Sequence, residues 1–186
     1  AAHENRGLFR VWSMPALADR VMHSPFTESA IAARAIWDPL DNFAARCEPE
    51  GMPRIMINPH PFEFVDRGVT ILLRVELYDQ VRTIHMPGSE VEVVPASPLG
   101  YSVGHWEGNT LVVETTKINW AYFDNIGTPQ SGFVEMIERF TLSDDQSHLN
   151  YRLTITDPVT FTEPATIMGH WLALGEEITP FACEVY

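Results

Sequence analysis

Apolar and polar residues alternate most clearly over residues 101–116, YSVGHWEGNTLVVETT, where two apolar-rich runs meet at Gly108-Asn109. Both turn residues tolerate positive φ, so the pair predicts a two-residue β-hairpin. That register sets Glu107 opposite Thr110, Trp106 opposite Leu111, His105 opposite Val112 and Val103 opposite Glu114. One face then carries Trp106, Leu111 and Val113. The other carries Val103, His105, Glu107, Thr110, Val112 and Glu114, so an acid-base set shares a face. Residues 69–78 alternate with the same period of two, and residues 81–86 follow across Asp79-Gln80. With that pair as the turn, Arg74, Glu76, Tyr78, Val81, Thr83 and His85 share one face. Leu73, Val75, Leu77, Ile84 and Met86 take the other, with Arg82 as the exception on the apolar side.

Further strands are expected at 62–65, at 133–142 and 149–156 across a Ser143 to His148 turn, and at 165–174 and 178–185. The run 7–12, GLFRVW, predicts a first strand. Two short helices come early, one over 16–22 after Ser13 and Pro15, and one over 27–37, where Thr27 caps and Asp38-Pro39 stops it. Residues 47–61 are punctuated by five prolines or glycines, Pro49, Gly51, Pro53, Pro59 and Pro61, which fix an irregular path. The segment 117–132, rich in aromatic and turn residues, is expected to be a long loop and a candidate lid. Eight to ten strands in near-unbroken succession predict a mainly β protein, an antiparallel meander closing into a lipocalin-like barrel with two short N-terminal helices. Closure leaves no long strand edge unpaired.

A chain of 186 residues with 45% hydrophobic content fits one domain spanning residues 1–186. Its formal charge of -13 argues against nucleic acid and against an anionic membrane surface. No apolar run approaches the roughly 18 residues of a membrane span, so a soluble chain without membrane insertion is expected. The opening Ala1-Ala2-His3-Glu4 would suit a mature terminus left by cleavage at a small-residue site. Cys47 and Cys183 are the only cysteines, and their spacing leaves open one disulfide or two reduced thiols.

From about Trp12 to the C-terminus the chain resembles a widespread family of exported bacterial single-domain proteins without an assigned chemistry. The resemblance rests on Cys47-Glu48-Pro49-Glu50-Gly51-Met52-Pro53-Arg54, on Gly104-His105-Trp106-Glu107-Gly108-Asn109-Thr110-Leu111-Val112-Val113, on Glu138-Arg139-Phe140, on Asp157-Pro158 and on the late Cys183. It implies a periplasmic or secreted location and a Cys47 to Cys183 bond. His105, Asn109 and Gln130 stand where this family more often has arginine, aspartate and histidine. The opening run also invites comparison with the lipocalin Gly-x-Trp strand, but its spacing differs, so the comparison supports only the barrel analogy.

The candidate chemistry follows from the polar faces. His105 with Glu107 and Glu114 has the composition of a general acid-base pair, and the alternative is a solvated sheet face. His85 with Arg74, Glu76 and Tyr78 forms a second set, with Arg74 expected opposite His85 and a structural ion pair as the alternative. Arg54, after the proline-rich segment, is a candidate for holding a carboxylate or phenolate, or for a structural pair with Glu138 or Asp157. Trp106, Trp120 and Tyr122 would line an apolar pocket, or else form plain core. The seven histidines show no metal-ligand spacing, and only a meeting of His85, His105 and His170 from separate strands would hold a metal, so neither metal nor cofactor is expected.

The set of candidate residues is therefore His105, Glu114, His85 and Tyr78 for catalysis, and Arg54, Glu76, Trp106, Trp120, Tyr122 and His170 for binding. The reading is an exported barrel that binds a small apolar or aromatic molecule, with cofactor-free acid-base chemistry of the lyase or isomerase kind. A carrier or sensor without turnover and an envelope interaction protein are the alternatives.

Overall fold

The computed structural model of the protein describes residues 7–13, 21–90, 93–175 and 177–183. Its strands are β1 (Val11–Ser13), β2 (Val21–His23), β3 (Phe62–Asp66), β4 (Thr70–Val75), β5 (Gln80–His85), β6 (Tyr101–Glu107), β7 (Thr110–Thr116), β8 (Glu135–Leu142), β9 (His148–Thr156) and β10 (Ala165–Ala173). One helix, α1 (Glu28–Ala35), and several 3-10 turns complete the described elements. Strands β3 to β10 pair in sequence order, and β1 bridges β3 to β10, so nine strands form a closed barrel. β2 continues along the same edge of β10 that β1 occupies.

Every junction in the ring is antiparallel except one. β5 and β6 run parallel and meet only at Ile84 with Ser102 and His85 with Val103. A parallel neighbour must start at the same end of the barrel, so residues 86–100 travel back its length instead of making a hairpin.

The β6–β7 hairpin forms in the expected register, with Gly108 at φ 60°. Its Trp106, Leu111 and Val113 point inward, and the His105 and Glu114 face points to solvent. The β4–β5 hairpin differs from expectation. Arg74 pairs with Val81 and Thr70 with His85, a slip of four residues from the Asp79-Gln80 turn. The cause is a 3-10 turn over Leu77–Asp79 in which Tyr78 and Asp79 both take left-handed φ, at 57° and 50°. An even slip keeps the side chains within β4 and β5 on their predicted faces while changing their partners, and it leaves Glu76 and Tyr78 outside both strands.

Other expectations fare unevenly. Thr27 accepts a hydrogen bond from the Ala30 amide and caps α1, as its position suggested. The expected helix over 16–22 lies outside the described residues up to position 20, and residues 21 and 22 belong to β2. Gly7 to Arg10 form a turn, leaving only Val11–Ser13 as strand. The described part of the expected last strand, 178–183, is not strand, and its residues 184 and 185 lie outside the described residues, as does the N-terminal tetrapeptide. The candidate lid, 117–132, is pinned through buried Ile118, Phe123 and Thr128 and through a ring contact of Phe123 with Phe161 at 5.0 Å.

Inside the barrel, Phe62, Phe64, Phe140, Tyr151 and Trp171 form one aromatic cluster with neighbouring centroids 4.7 to 5.2 Å apart. Edge-on and tilted contacts of this kind add to the burial energy of rings already removed from water. The interior is therefore filled over much of its length by its own side chains. One end is covered by 3-10 turns that bury Phe43, Ile55 and Met56, and a Cys47–Cys183 disulfide, with its Cα atoms 5.8 Å apart, lies there.

Candidate ligand-binding site

Arg82 points into the barrel because period-two alternation leaves it no other face, and it is 2% exposed. A guanidinium so placed requires partners, since unpaired buried charge is severely unfavourable. Its Nη2 donates to a Glu138 carboxylate oxygen and to Thr115 Oγ1, and its Nε donates to Ser102 Oγ at 2.9 Å. The Tyr151 hydroxyl donates to the other Glu138 oxygen at 2.9 Å. The ion pair neutralises both buried charges, and the Arg82 hydrogen bonds fasten β5 to β6, β7 and β8 across the parallel junction.

The same junction leaves a gap in the wall. Towards β6, residues Gln80 to Thr83 have no ladder partner among the described residues, since pairing with β6 begins at Ile84. A cavity of about 490 Å³ lies there, between β5 and the returning segment that contains Pro95, Pro98 and Leu99, with Tyr101 at the start of β6 as a further wall. Val81, Thr83 and His85 line it from the outer face of β5, and Arg82 lines it from the strand between them. The His85 ring stacks on Tyr101 at 4.7 Å with 27° between planes. Largely apolar walls with a few polar groups and this volume are what small-molecule sites present.

The expected site residues do not converge there. Of the candidate catalytic groups, His85 lines the cavity. His105 is on the outer face, 3.3 Å through Nε2 from Glu107, whose other oxygen accepts from Arg139 at 2.6 Å. The hydrogen bonds from Arg139 and His105 hold the Glu107 carboxyl below the usual glutamate range. Glu114 is exposed on the same outer face. The expected Arg74 to His85 contact does not form, and Arg74 donates to Glu63 at 2.9 Å.

Tyr78 and Glu76 belong to the covered end. Burial pushes the Tyr78 phenol up, helped by the charges of Glu50 and Glu48, and its ring lies 4.9 Å from Phe181. Burial also acts to raise the Glu76 carboxyl, but hydrogen bonds from the Thr179 amide, His60 and the Thr179 hydroxyl outweigh it and leave the group below its usual range. Arg54 pairs with Glu50 at 3.3 Å, four residues earlier in the chain, and with neither Glu138 nor Asp157. Asp157 is engaged by the Ser131 amide and hydroxyl at 2.8 and 2.7 Å. Trp106 is inward-facing core, Trp120 packs edge-on against Phe43 at 4.9 Å, and Tyr122 is bridged to Pro129. His170 lies 5.4 Å from His148, apart from His85 and His105, and among the described residues no three metal-ligating groups come together.

The sequence singled out Arg82 as misplaced on an apolar face but offered no sign of its partner, three strands further on. The gap itself had one trace, the long proline-marked connection 87–100, which suits a parallel crossover better than a hairpin.

No protein-family model matches the chain, and no curated protein matches it. Among solved structures, the apo form of lipid binding protein 8 (LBP-8) from Caenorhabditis elegans is similar over 94% of this chain and 100% of that chain, with a TM-score of 0.44 and 10% sequence identity. A likeness at that level carries no functional argument, and the barrel is read from its own strand pairing.

Proposed function

We propose that this protein is an exported small-molecule-binding barrel that takes an apolar or aromatic ligand at the β5–β6 seam, without turnover. The carrying observation is the cavity of about 490 Å³ at the parallel junction between β5 and β6. The disulfide supports an oxidising compartment, as does the resemblance to exported bacterial proteins carried by the Cys47 to Arg54 and Gly104 to Val113 motifs. No described helix is long and apolar enough to cross a membrane. Binding is favoured over acid-base catalysis because His105 and Glu114 stand in solvent, outside any enclosed volume with His85. Under this reading His105 belongs to a surface network with Glu107 and Arg139.

The test is calorimetric titration of the full chain with a panel of small aromatic and terpenoid compounds. Thr83 is exposed at the cavity, so Thr83→Trp fills it at little cost to the fold. That variant is expected to lose binding at least about tenfold, equivalent to about 1.4 kcal/mol, whereas His105→Ala retains the wild-type affinity. Binding that survives Thr83→Trp and falls with His105→Ala would return the site to the outer face.

A further inference from the structure

We infer that the seam cavity recognises a neutral secondary amide, held as an added strand segment against the free edge of β5. The inference rests on the proposed function and specifies the ligand class of the same site.

Three observations lead there. Residues Gln80 to Thr83 are consecutive in a strand, all line the cavity, and among the described residues are paired only with β4, on the other side. Alternate residues of a strand present an N–H and a C=O to the same edge. The cavity wall is thus a short row of backbone donors and acceptors, and such groups require partners when water is displaced. A secondary amide supplies one donor and one acceptor in the geometry a neighbouring strand would use.

The charge balance selects neutrality. The Arg82 guanidinium turns away from the cavity into the barrel, where Glu138 cancels its charge. Among the described residues no carboxylate lines the cavity. A carboxylate ligand would be desolvated there without help from Arg82, and the Lys117 ammonium beside Tyr101 is already donating to the Val94 carbonyl at the solvent-exposed rim. A neutral amide meets no such opposition.

The third observation is the flank. Pro95, Pro98, Leu99, Val81 and Tyr101 offer apolar contact to whatever the amide carries, and about 490 Å³ suits a compound of small-molecule size more than a long peptide.

The test compares three compounds on one 4-phenylbutanoyl body, the N-methyl amide, the N,N-dimethyl amide and the free carboxylate, by calorimetry at pH 7.5 with the full chain. The N-methyl amide is expected to bind at least about tenfold more tightly than either of the others, and Thr83→Trp, with Val81→Trp as a second filled variant, is expected to abolish the difference. Equal affinity of the two amides would overturn the strand-edge contact. A carboxylate that binds as well as the N-methyl amide would overturn the neutral-ligand inference while leaving small-molecule binding in place. If none of the three binds but another aromatic or terpenoid compound does so at the seam, the amide inference fails alone; if nothing binds, the proposed function fails with it.

Discussion

Arg82 and Glu138 show what a single buried charge demands of its surroundings. With Glu138 fully buried and Arg82 nearly so, truncating one partner leaves the other's charge in a poorly hydrated interior. Glu138→Ala is expected to destabilise the protein by about 3–5 kcal/mol, read from the midpoint of chemical denaturation, while Arg82→Met combined with Glu138→Leu recovers much of that loss. A single-mutant loss below about 1 kcal/mol would mean that water reaches the pair. The burial of Arg82 was legible from alternation alone. The identity of its partner was not, because the sequence offered Glu138 to Arg54, as an alternative to Asp157, and no partner to Arg82. Geometry resolves the competition: Arg54 finds Glu50 within its own segment, and Asp157 is taken up by Ser131 and the amide of Val159.

Elements were legible where turn chemistry was explicit and misread where it was not. Gly108-Asn109 fixed the β6–β7 register because glycine accepts the required φ. Leu77–Asp79 concealed its turn because Tyr78, a residue that seldom adopts left-handed φ, does so there. The C-terminal segment was read as a strand from its apolar residues, yet it is held as a strap. Its Thr179 amide and hydroxyl donate to Glu76, its Phe181 amide donates to Asp79, and the Phe181 ring meets His60 at 5.2 Å. Because the folded Glu76 carboxyl lies below its ordinary value near 4.5, its contribution is present above that value and lost as pH falls through the folded one. Hydrogen-exchange protection at Thr179 and Phe181 is therefore expected to fall as pH drops below about 4.5. Glu76→Gln should show reduced protection already at neutral pH, and a pH-independent profile in the wild type would show that the strap does not depend on this carboxylate.

For the molecule as a whole, the disulfide joins residues separated by 136 positions, so it ties the covered end to the last described stretch of chain. In the chain-entropy account a closed loop of that length is worth up to about 5 kcal/mol through restriction of the unfolded ensemble. Cys47→Ser or Cys183→Ser is expected to lower the thermal midpoint under oxidising conditions, and both variants should match the reduced wild type. A midpoint unchanged by reduction would show that packing of the strap alone sets stability. The β-rich, closed architecture was legible from strand count and alternation. The parallel junction, which creates the cavity, was not, because alternation reports which face a residue occupies and is silent about the direction of the neighbouring strand.

The barrel is also a hoop whose clasp is very short. β1 has three residues and joins β3 and β10 by two register pairs on each side. The β5–β6 junction is equally short but is tied by Arg82 to Ser102, so when thermal motion parts the ring the β1 pairs are the ones to yield first, and their loss bares one edge of β3 together with the end of β10. Two complementary edges held open side by side are a template for the β1 of a second copy. Strand exchange between copies, beginning at β1 and carrying the buried Trp12 with it, is thus the route by which this protein would associate under heat or acid.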